Sequence, residues 1–245
     1  MIVVSYNLHH GEGLDRRFDL PRLAAVIQSA RPDLVALQEV DRGTRRSGGV
    51  DQAAELARLT GLTMVYGPAI EFDGGRYGNA VLTRYPVVGQ RCVPLPSAEP
   101  RVALGVTVRV PAGGAERPLC FIVTHLDLTA AARLAAVPLI EALCADDPDQ
   151  PAILAGDLND PPASATLRAF ERTWTNATAG AGLWTVPADA PREQIDYVLC
   201  RPAGRWRVRA AAVLPEAVAS DHRPICAELD WLPDDCPARN AKGRR

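Results

Sequence analysis

Short apolar runs recur along this chain, and each meets a polar side chain at one end. Ile153-Leu154-Ala155 leads through Gly156 into Asp157-Leu158-Asn159. A run this short, bounded by turn residues, reads as a buried strand and not a helix. Gly156 lets the chain turn or admits a close backbone neighbour. If the strand stays extended, Asp157 and Asn159 lie on one face, because side chains alternate with a period of two. Pro161 and Pro162 then stop it. The same pattern takes Ile2–Tyr6 into Asn7, Leu34–Leu37 into Gln38-Glu39, and Leu119–Val123 into Thr124-His125. Asp196 stands near the start of the run Ile195–Leu199, and Asp221-His222 precede Ile225–Leu229. A chain written this way folds around sheets, and its chemistry gathers where strands emerge from the core.

Helical spacing is rarer. Leu20, Leu23, Ala24, Ile27 and Ala30 recur at helical intervals after Asp19, an N-cap type, with Pro21 in the first turn. A second helix starts at Gly49 or Asp51 and is capped by Gly61. A third spans about 130–144, with Pro138 as an irregularity, and 162–170 suggests a short fourth. Further strands are expected over 63–66, 79–83, 87–93, 103–110 and 206–214, with a surface turn at 111–118. Residues 171–191, with Trp174 and Trp184, read as a long loop beside a site. So strand-rich a middle argues for antiparallel pairing rather than a purely parallel sheet. No linker or repeat interrupts residues 1–232, which are expected to form one domain, and 233–245 is expected to be a frayed tail.

The net charge of −2 narrows the partners. A protein that binds by neutralising many phosphates is usually more basic, so nucleic acid is not favoured, although Arg42, Arg45, Arg46, Arg76, Arg84, Arg101 and Arg192 could line a groove. Cysteines at 92, 120, 144, 200, 226 and 236 form no CxxC pair, which removes zinc-finger spacing and leaves buried reduced thiols as the expectation. There is no leader-like start and no apolar run of about 18 residues, so a cytoplasmic monomer without a membrane span is expected.

Taken singly, each polar strand end has a plain explanation: a turn for Asp157 and Asn159, an ion pair with a nearby arginine for Glu39. Taken together, Asn7, Glu39, His125, Asp157, Asn159, Asp196, Asp221 and His222 form a donor set of oxygens and imidazoles without thiolate. Such a set favours a hard cation, Mg²⁺ or Mn²⁺, held by one or two carboxylates with waters and a substrate phosphate. Histidines suit stabilisation of transition-state charge, and a buried carboxylate suits holding a histidine's tautomer. No Walker loop, nucleophile elbow or dinucleotide fingerprint is present.

Asn7, Leu37-Gln38-Glu39-Val40, Tyr77-Gly78-Asn79, Thr124-His125-Leu126, Gly156-Asp157-Leu158-Asn159, Ile195-Asp196-Tyr197 and Ser220-Asp221-His222-Arg223-Pro224 follow one another in order. This series resembles the endonuclease/exonuclease/phosphatase superfamily of deoxyribonuclease I, exonuclease III, inositol polyphosphate 5-phosphatases and neutral sphingomyelinases. The resemblance covers nearly the whole chain. It implies a four-layer α/β-sandwich with two central mixed, largely antiparallel sheets flanked by helices. It also implies a Mg²⁺- or Mn²⁺-dependent phosphoesterase that uses in-line water attack. By matching position, Glu39 with Asn7 and Asp221 would hold the metal. Asp157 would position the water, Asn159 the phosphate, and Asp196 would pair with His222. His125, Asn79 and Arg223 would face the substrate. His125 stands where abasic-site endonucleases of this group carry tyrosine, and the extended tryptophan motif of the 5-phosphatases is absent. The compact length is similar to small bacterial hydrolases of the group. A small-molecule or lipid-headgroup ester is therefore the expected substrate, with DNA or RNA as the alternative and a non-catalytic binding module as a third reading.

Overall fold

A computed structural model describes residues 1–112, 114–144 and 150–232. In chain order the elements are β1 (Ile2–Asn7), α1 (Leu20–Ser29), β2 (Leu34–Arg42), α2 (Gln52–Thr60), β3 (Thr63–Phe72), β4 (Gly75–Thr83), β5 (Val87–Leu95), β6 (Arg101–Ala112), β7 (Ala115–His125), α3 (Ala130–Glu141), β8 (Ala152–Asp157), α4 (Ala165–Phe170), β9 (Thr175–Asn176), β10 (Asp196–Arg201), β11 (Trp206–Val213) and β12 (Ile225–Trp231). The strands form two six-stranded sheets, ordered β11-β12-β1-β2-β4-β3 and β5-β6-β7-β8-β10-β9. Among the described residues only β1–β2 and β7–β8 pair in parallel; the other ladders are antiparallel.

Three apolar clusters show the layering. The central one takes Val3, Leu34, Ala36 and Val81 from the first sheet and Val106, Phe121, Ile153, Ala155 and Val198 from the second, so the two sheets pack face to face. A second joins the outer face of the first sheet to α1 and α2 through Leu23, Ile27 and Leu56. A third joins the outer face of the second sheet to α3 and α4 through Val137, Ile140, Leu167 and Phe170. This is the expected four-layer sandwich. Both parallel pairs are strand–helix–strand crossovers, and these send the ends of β1, β2, β7 and β8 to one rim.

The helix ends follow their sequence signals. Asp19 accepts from the Arg22 N–H at 2.9 Å and Asp51 from the Ala54 N–H at 3.0 Å, satisfying donors that a first turn leaves free. Gly61 closes α2 at φ 74°, donating to the Ala57 carbonyl. Some expectations shift. The surface turn at 111–118 narrows to the tip between β6 and β7, because Pro111 and Ala112 still pair with Glu116 and Ala115. The fourth helix begins at Ala165, capped by the Ser164 side chain, and the third gives way to a 3-10 turn at Ala142–Cys144. Pro138 lies inside α3. Trp174 is buried, whereas Trp184 is half exposed. Cys120, Cys144 and Cys200 are buried, but Cys92 is exposed on β5. Cys236 and the tail expected at 233–245 lie outside the described residues.

Candidate active site

Strand register assembles the centre of the site. Pairing places His125 of β7 opposite Asp157 of β8, and Asp157 opposite Asp196 of β10. Opposed residues on neighbouring strands point to the same face. Here that face is inward: Phe121 and Val123 precede His125, Ile153 and Ala155 precede Asp157, and Val198 follows Asp196, all in the central core. The polar row thus replaces the core at its rim, and all three side chains are buried. Gly156 allows the strands to close up here, since a Cβ on it would lie 2.2 Å from the Thr124 carbonyl oxygen.

The first sheet supplies the opposite wall. Asn7, at the end of β1, donates through Nδ2 to Asp157 Oδ2 at 3.2 Å and Glu39 Oε1 at 3.0 Å, and accepts the His9 N–H at 3.0 Å. Glu39 reaches this place against the parity of its strand. Leu34 and Ala36 face the central core while Val35, Leu37 and Val40 face the helices, so strict alternation would point Glu39 outward. The β2–β4 register shifts between Leu37 and Val40, and Glu39 takes φ 56°. This bulge re-aims the carboxylate, and left-handed backbone at a non-glycine residue is a cost that surrounding contacts must cover. One such contact is the Asn7 amide on Glu39 Oε1, and the Tyr77 side chain lines the same cavity as Glu39.

The loop before β12 brings in the second histidine. Ser220 Oγ donates to the Asn7 carbonyl at 2.7 Å and accepts the His222 N–H at 3.3 Å. His222 Nδ1 donates to Asp196 Oδ2 at 2.9 Å, and its Nε2 lies 3.7 Å from Asp157 Oδ2. Burial disfavours a charged His222, but Asp196, then Asp157 and Asp221, outweigh it and raise its pKa to about 10. Burial, then the Asp196 charge, raises Asp157 to about 7. His125 Nε2 lies 3.5 Å from Asp157 Oδ2, and burial, Arg101 and His222 hold this imidazole well below its ordinary range.

The remaining expected residues occupy more varied places. Asn159, at φ 50°, caps Asp157 Oδ1 with its N–H at 2.9 Å and donates through Nδ2 to the Leu126 carbonyl at 2.8 Å. Asp221 is half buried and close enough to act on His222. Asn79 is buried and donates to the Val102 carbonyl at 2.9 Å, tying β4 to β6 across the two sheets. Arg223 donates from Nε to the Ala188 carbonyl at 2.6 Å and pins the long loop. A cavity of about 390 Å³ opens beside Glu39 between His9, His10, Arg46, Phe72, Tyr77, Glu99 and Arg101. Ser220 and Arg101 gain roles that the residue patterns did not assign. Arg101 read only as one of seven arginines for a groove, and all seven are in ion pairs: Arg42–Asp51, Arg45–Asp73, Arg46–Asp41, Arg76–Glu71, Arg84–Asp33, Arg101–Glu99 and Arg192–Glu193.

Asp157, Asp196 and His222 each offer a ligand atom, all within 4.8 Å of one another, so this buried cluster can coordinate a divalent metal. Asp196 Oδ1 is buried without a hydrogen-bond partner, an acceptor that such a site can use. Within the cluster, however, Asp196 Oδ2 and His222 Nδ1 already satisfy each other. Glu39, which lines the cavity, and Asp157 form a second carboxylate pair held apart by the Asn7 amide. Oxygen donors with an imidazole and no thiolate suit a hard cation. No helix among the described residues is long and apolar enough to cross a membrane.

The family model for the endonuclease/exonuclease/phosphatase family matches residues 4–222. Protein YbhP of Escherichia coli K12, itself described as uncharacterized, is 28% identical over 243 residues, covering 93% of this chain and 95% of its own. A crystal structure of an endonuclease/exonuclease/phosphatase from Beutenbergia cavernae is 26% identical, with a TM-score of 0.72 over 94% of this chain and 71% of that one. The mannosyl-6-phosphatase of Bacteroides thetaiotaomicron shares the fold at 21% identity, with a TM-score of 0.76 over 94% of this chain and 100% of that one.

Proposed function

This chain belongs to the endonuclease/exonuclease/phosphatase family as a metal-dependent phosphoesterase, and we propose that it uses Mg²⁺ or Mn²⁺ to hydrolyse a small-molecule or lipid-headgroup phosphate ester by in-line water attack. The observation that carries the reading is an unbroken hydrogen-bonded chain from Glu39 through Asn7 to Asp157, with the Asp196–His222 pair against its far side.

Glu39 and Asp221 would hold the metal. Asn7 stands beside Glu39 and, with its Nδ2 turned to Glu39 and Asp157, serves mainly to space those two carboxylates. When bound, the ion would supply Lewis-acid neutralisation of phosphoryl charge. Asp157, with its pKa near 7, is suited to orient the water and take its proton at neutral pH. The Asn159 N–H on Oδ1 fixes the direction of that carboxylate, and the Asn159 side chain, whose Nδ2 donates to the Leu126 carbonyl, would meet a phosphoryl oxygen with its second hydrogen. His222 keeps a proton on Nδ1 for Asp196 and presents a second on Nε2 at neutral pH, where it would face developing phosphoryl charge.

A small substrate is favoured by the cations. The seven arginines that could have lined a groove are all ion-paired, so each would have to leave a carboxylate to neutralise a run of phosphates. The cavity beside Glu39 is of a size for one organic group. The test is a panel with Mg²⁺ and Mn²⁺: p-nitrophenyl mono- and diesters, hexose 6-phosphates, inositol phosphates, phospholipids, DNA and RNA. We expect turnover of a monomeric ester with little dependence on salt. Turnover of nucleic acid alone, falling steeply with salt, would overturn the substrate assignment. Loss of no activity in Asp157→Ala would overturn the mechanism.

A further inference from the structure

Two histidines face Asp157, and their second nitrogens meet opposite chemistry. His222 Nδ1 lies 2.9 Å from Asp196 Oδ2, a pure acceptor, so it must carry hydrogen. His125 Nδ1 lies 2.8 Å from Arg101 Nη1, and a guanidinium has only donors, so this nitrogen must be bare. The hydrogen of a neutral His125 then sits on Nε2, which points at Asp157 Oδ2 3.5 Å away.

We propose that Arg101 is a positioning residue that locks His125 as the Nε2–H tautomer, making it a fixed hydrogen-bond donor into the reaction centre. Arg101 is well placed for this. Its side chain is only 10% exposed, it opens the strand that pairs with the His125 strand, and Glu99 holds its Nη2 at 3.3 Å. The lock needs no charge change at His125: donor faces acceptor on both sides of the ring. A protonated His125 would set an N–H against the guanidinium, two donors face to face with two positive charges. The two tautomers follow from partner type alone, a carboxylate behind one ring and a guanidinium behind the other.

The inference rests on the proposed phosphoesterase site for its consequence but not for its first readout. Imidazole ¹⁵N NMR on the metal-free protein, and again with Mg²⁺, reports which nitrogen bears hydrogen without any substrate. Expected is a protonated Nε2 and bare Nδ1 on His125, and a protonated Nδ1 on His222. Arg101→Gln, whose amide can turn its oxygen to the ring, should allow the Nδ1–H form of His125; Arg101→Lys, still only a donor, should retain the lock. On any ester that the enzyme turns over, Arg101→Gln should lower kcat roughly tenfold to a hundredfold with little change in KM. In a His125→Ala background the same change should add almost nothing. A His125 with hydrogen on Nδ1 in the wild-type spectrum overturns the proposal, whether or not Arg101→Gln folds. A rise in KM with unchanged kcat would instead make Arg101 a substrate contact and also overturns it. If no ester is cleaved while the NMR result holds, the proposed function fails and the tautomer lock stands.

Discussion

Asp196→Asn tests the site most directly, because it removes a charge while keeping nearly the same shape. Asp196 is the first of the three carboxylates that raise His222 against burial, and the one that accepts its Nδ1–H at 2.9 Å. Carrying His222 from 6.5 to about 10 corresponds to roughly 5 kcal/mol of preference for the protonated ring. If Asp196 supplies about half of that, the neutral amide gives up about 2–3 kcal/mol, or between about 30- and 150-fold at pH 10 and above in a step that needs the Nε2 proton. The sign gives a second signature. Without Asp196 the ring titrates roughly midway between 6.5 and about 10, so its protonated form is scarce by pH 10 but nearly complete near pH 6, and the loss should shrink as pH falls. The assay is kcat against pH on a p-nitrophenyl ester at saturating metal, with ¹⁵N NMR of His222 beside it. A variant with wild-type kcat at pH 10, or a loss that is flat from pH 6 to 10 while the His222 resonance moves, would falsify the role given to this pair.

Four other outcomes are expected. Asp157→Asn should lower kcat by roughly a thousandfold with KM little changed, as expected when a group acts in the transition state; equal loss in binding, read by calorimetry with a non-hydrolysed analogue, would contradict it. Gly156→Ala forces a methyl against the Thr124 carbonyl and should cost about 1–3 kcal/mol, a drop in Tm of roughly 4–10 °C by circular dichroism; an unchanged Tm would show that β7 and β8 can part freely. Arg133 and Asp160 form a mostly buried ion pair at 3.1 Å that ties α3 to the loop after β8, so Arg133→Met should destabilise by about 3 kcal/mol in urea, with Asp160→Asn restoring much of it. In EDTA, the raised pKa of His222 gives stability that is complete below its unfolded value near 6.5 and is lost as pH rises through about 10. The Tm gap between wild type and His222→Gln should therefore be widest at pH 6 and close by pH 10; a gap that widens with pH would refute the sign.

Much of this molecule is legible in the chain itself. The helix caps at Asp19, Asp51 and Gly61 need only local chemistry and stand where their residue types place them. The apolar runs ending at Asn7, His125 and Asp157 state both that a strand is there and where it leaves the core. Less legible are residues whose duty depends on a partner far away in sequence. Asn79 and Arg223, expected to face the substrate, also hold distant carbonyls, Asn79 that of Val102 and Arg223 that of Ala188 in the long loop. Trp174 and Trp184 share one loop and have opposite exposures, which their local sequence does not distinguish.

What the sequence determined by itself was the parity of each strand. Because side chains alternate, Phe121 and Val123 commit His125 to the inner face, and Ile153 and Ala155 commit Asp157 to it. What only the tertiary structure decided was register and its interruption. The pairing of β7, β8 and β10 sets His125, Asp157 and Asp196 in one row. The bulge at Gln38-Glu39 turns a carboxylate inward that alternation alone would send to the helices. Arg101, an unremarkable arginine in the chain, becomes the neighbour that decides which nitrogen of His125 bears hydrogen. The physical reason is the same in each case: alternation is a property of one strand, whereas register, bulges and hydrogen-bond partners are properties of two strands in contact, and a single run of residues carries no record of which other run it will meet.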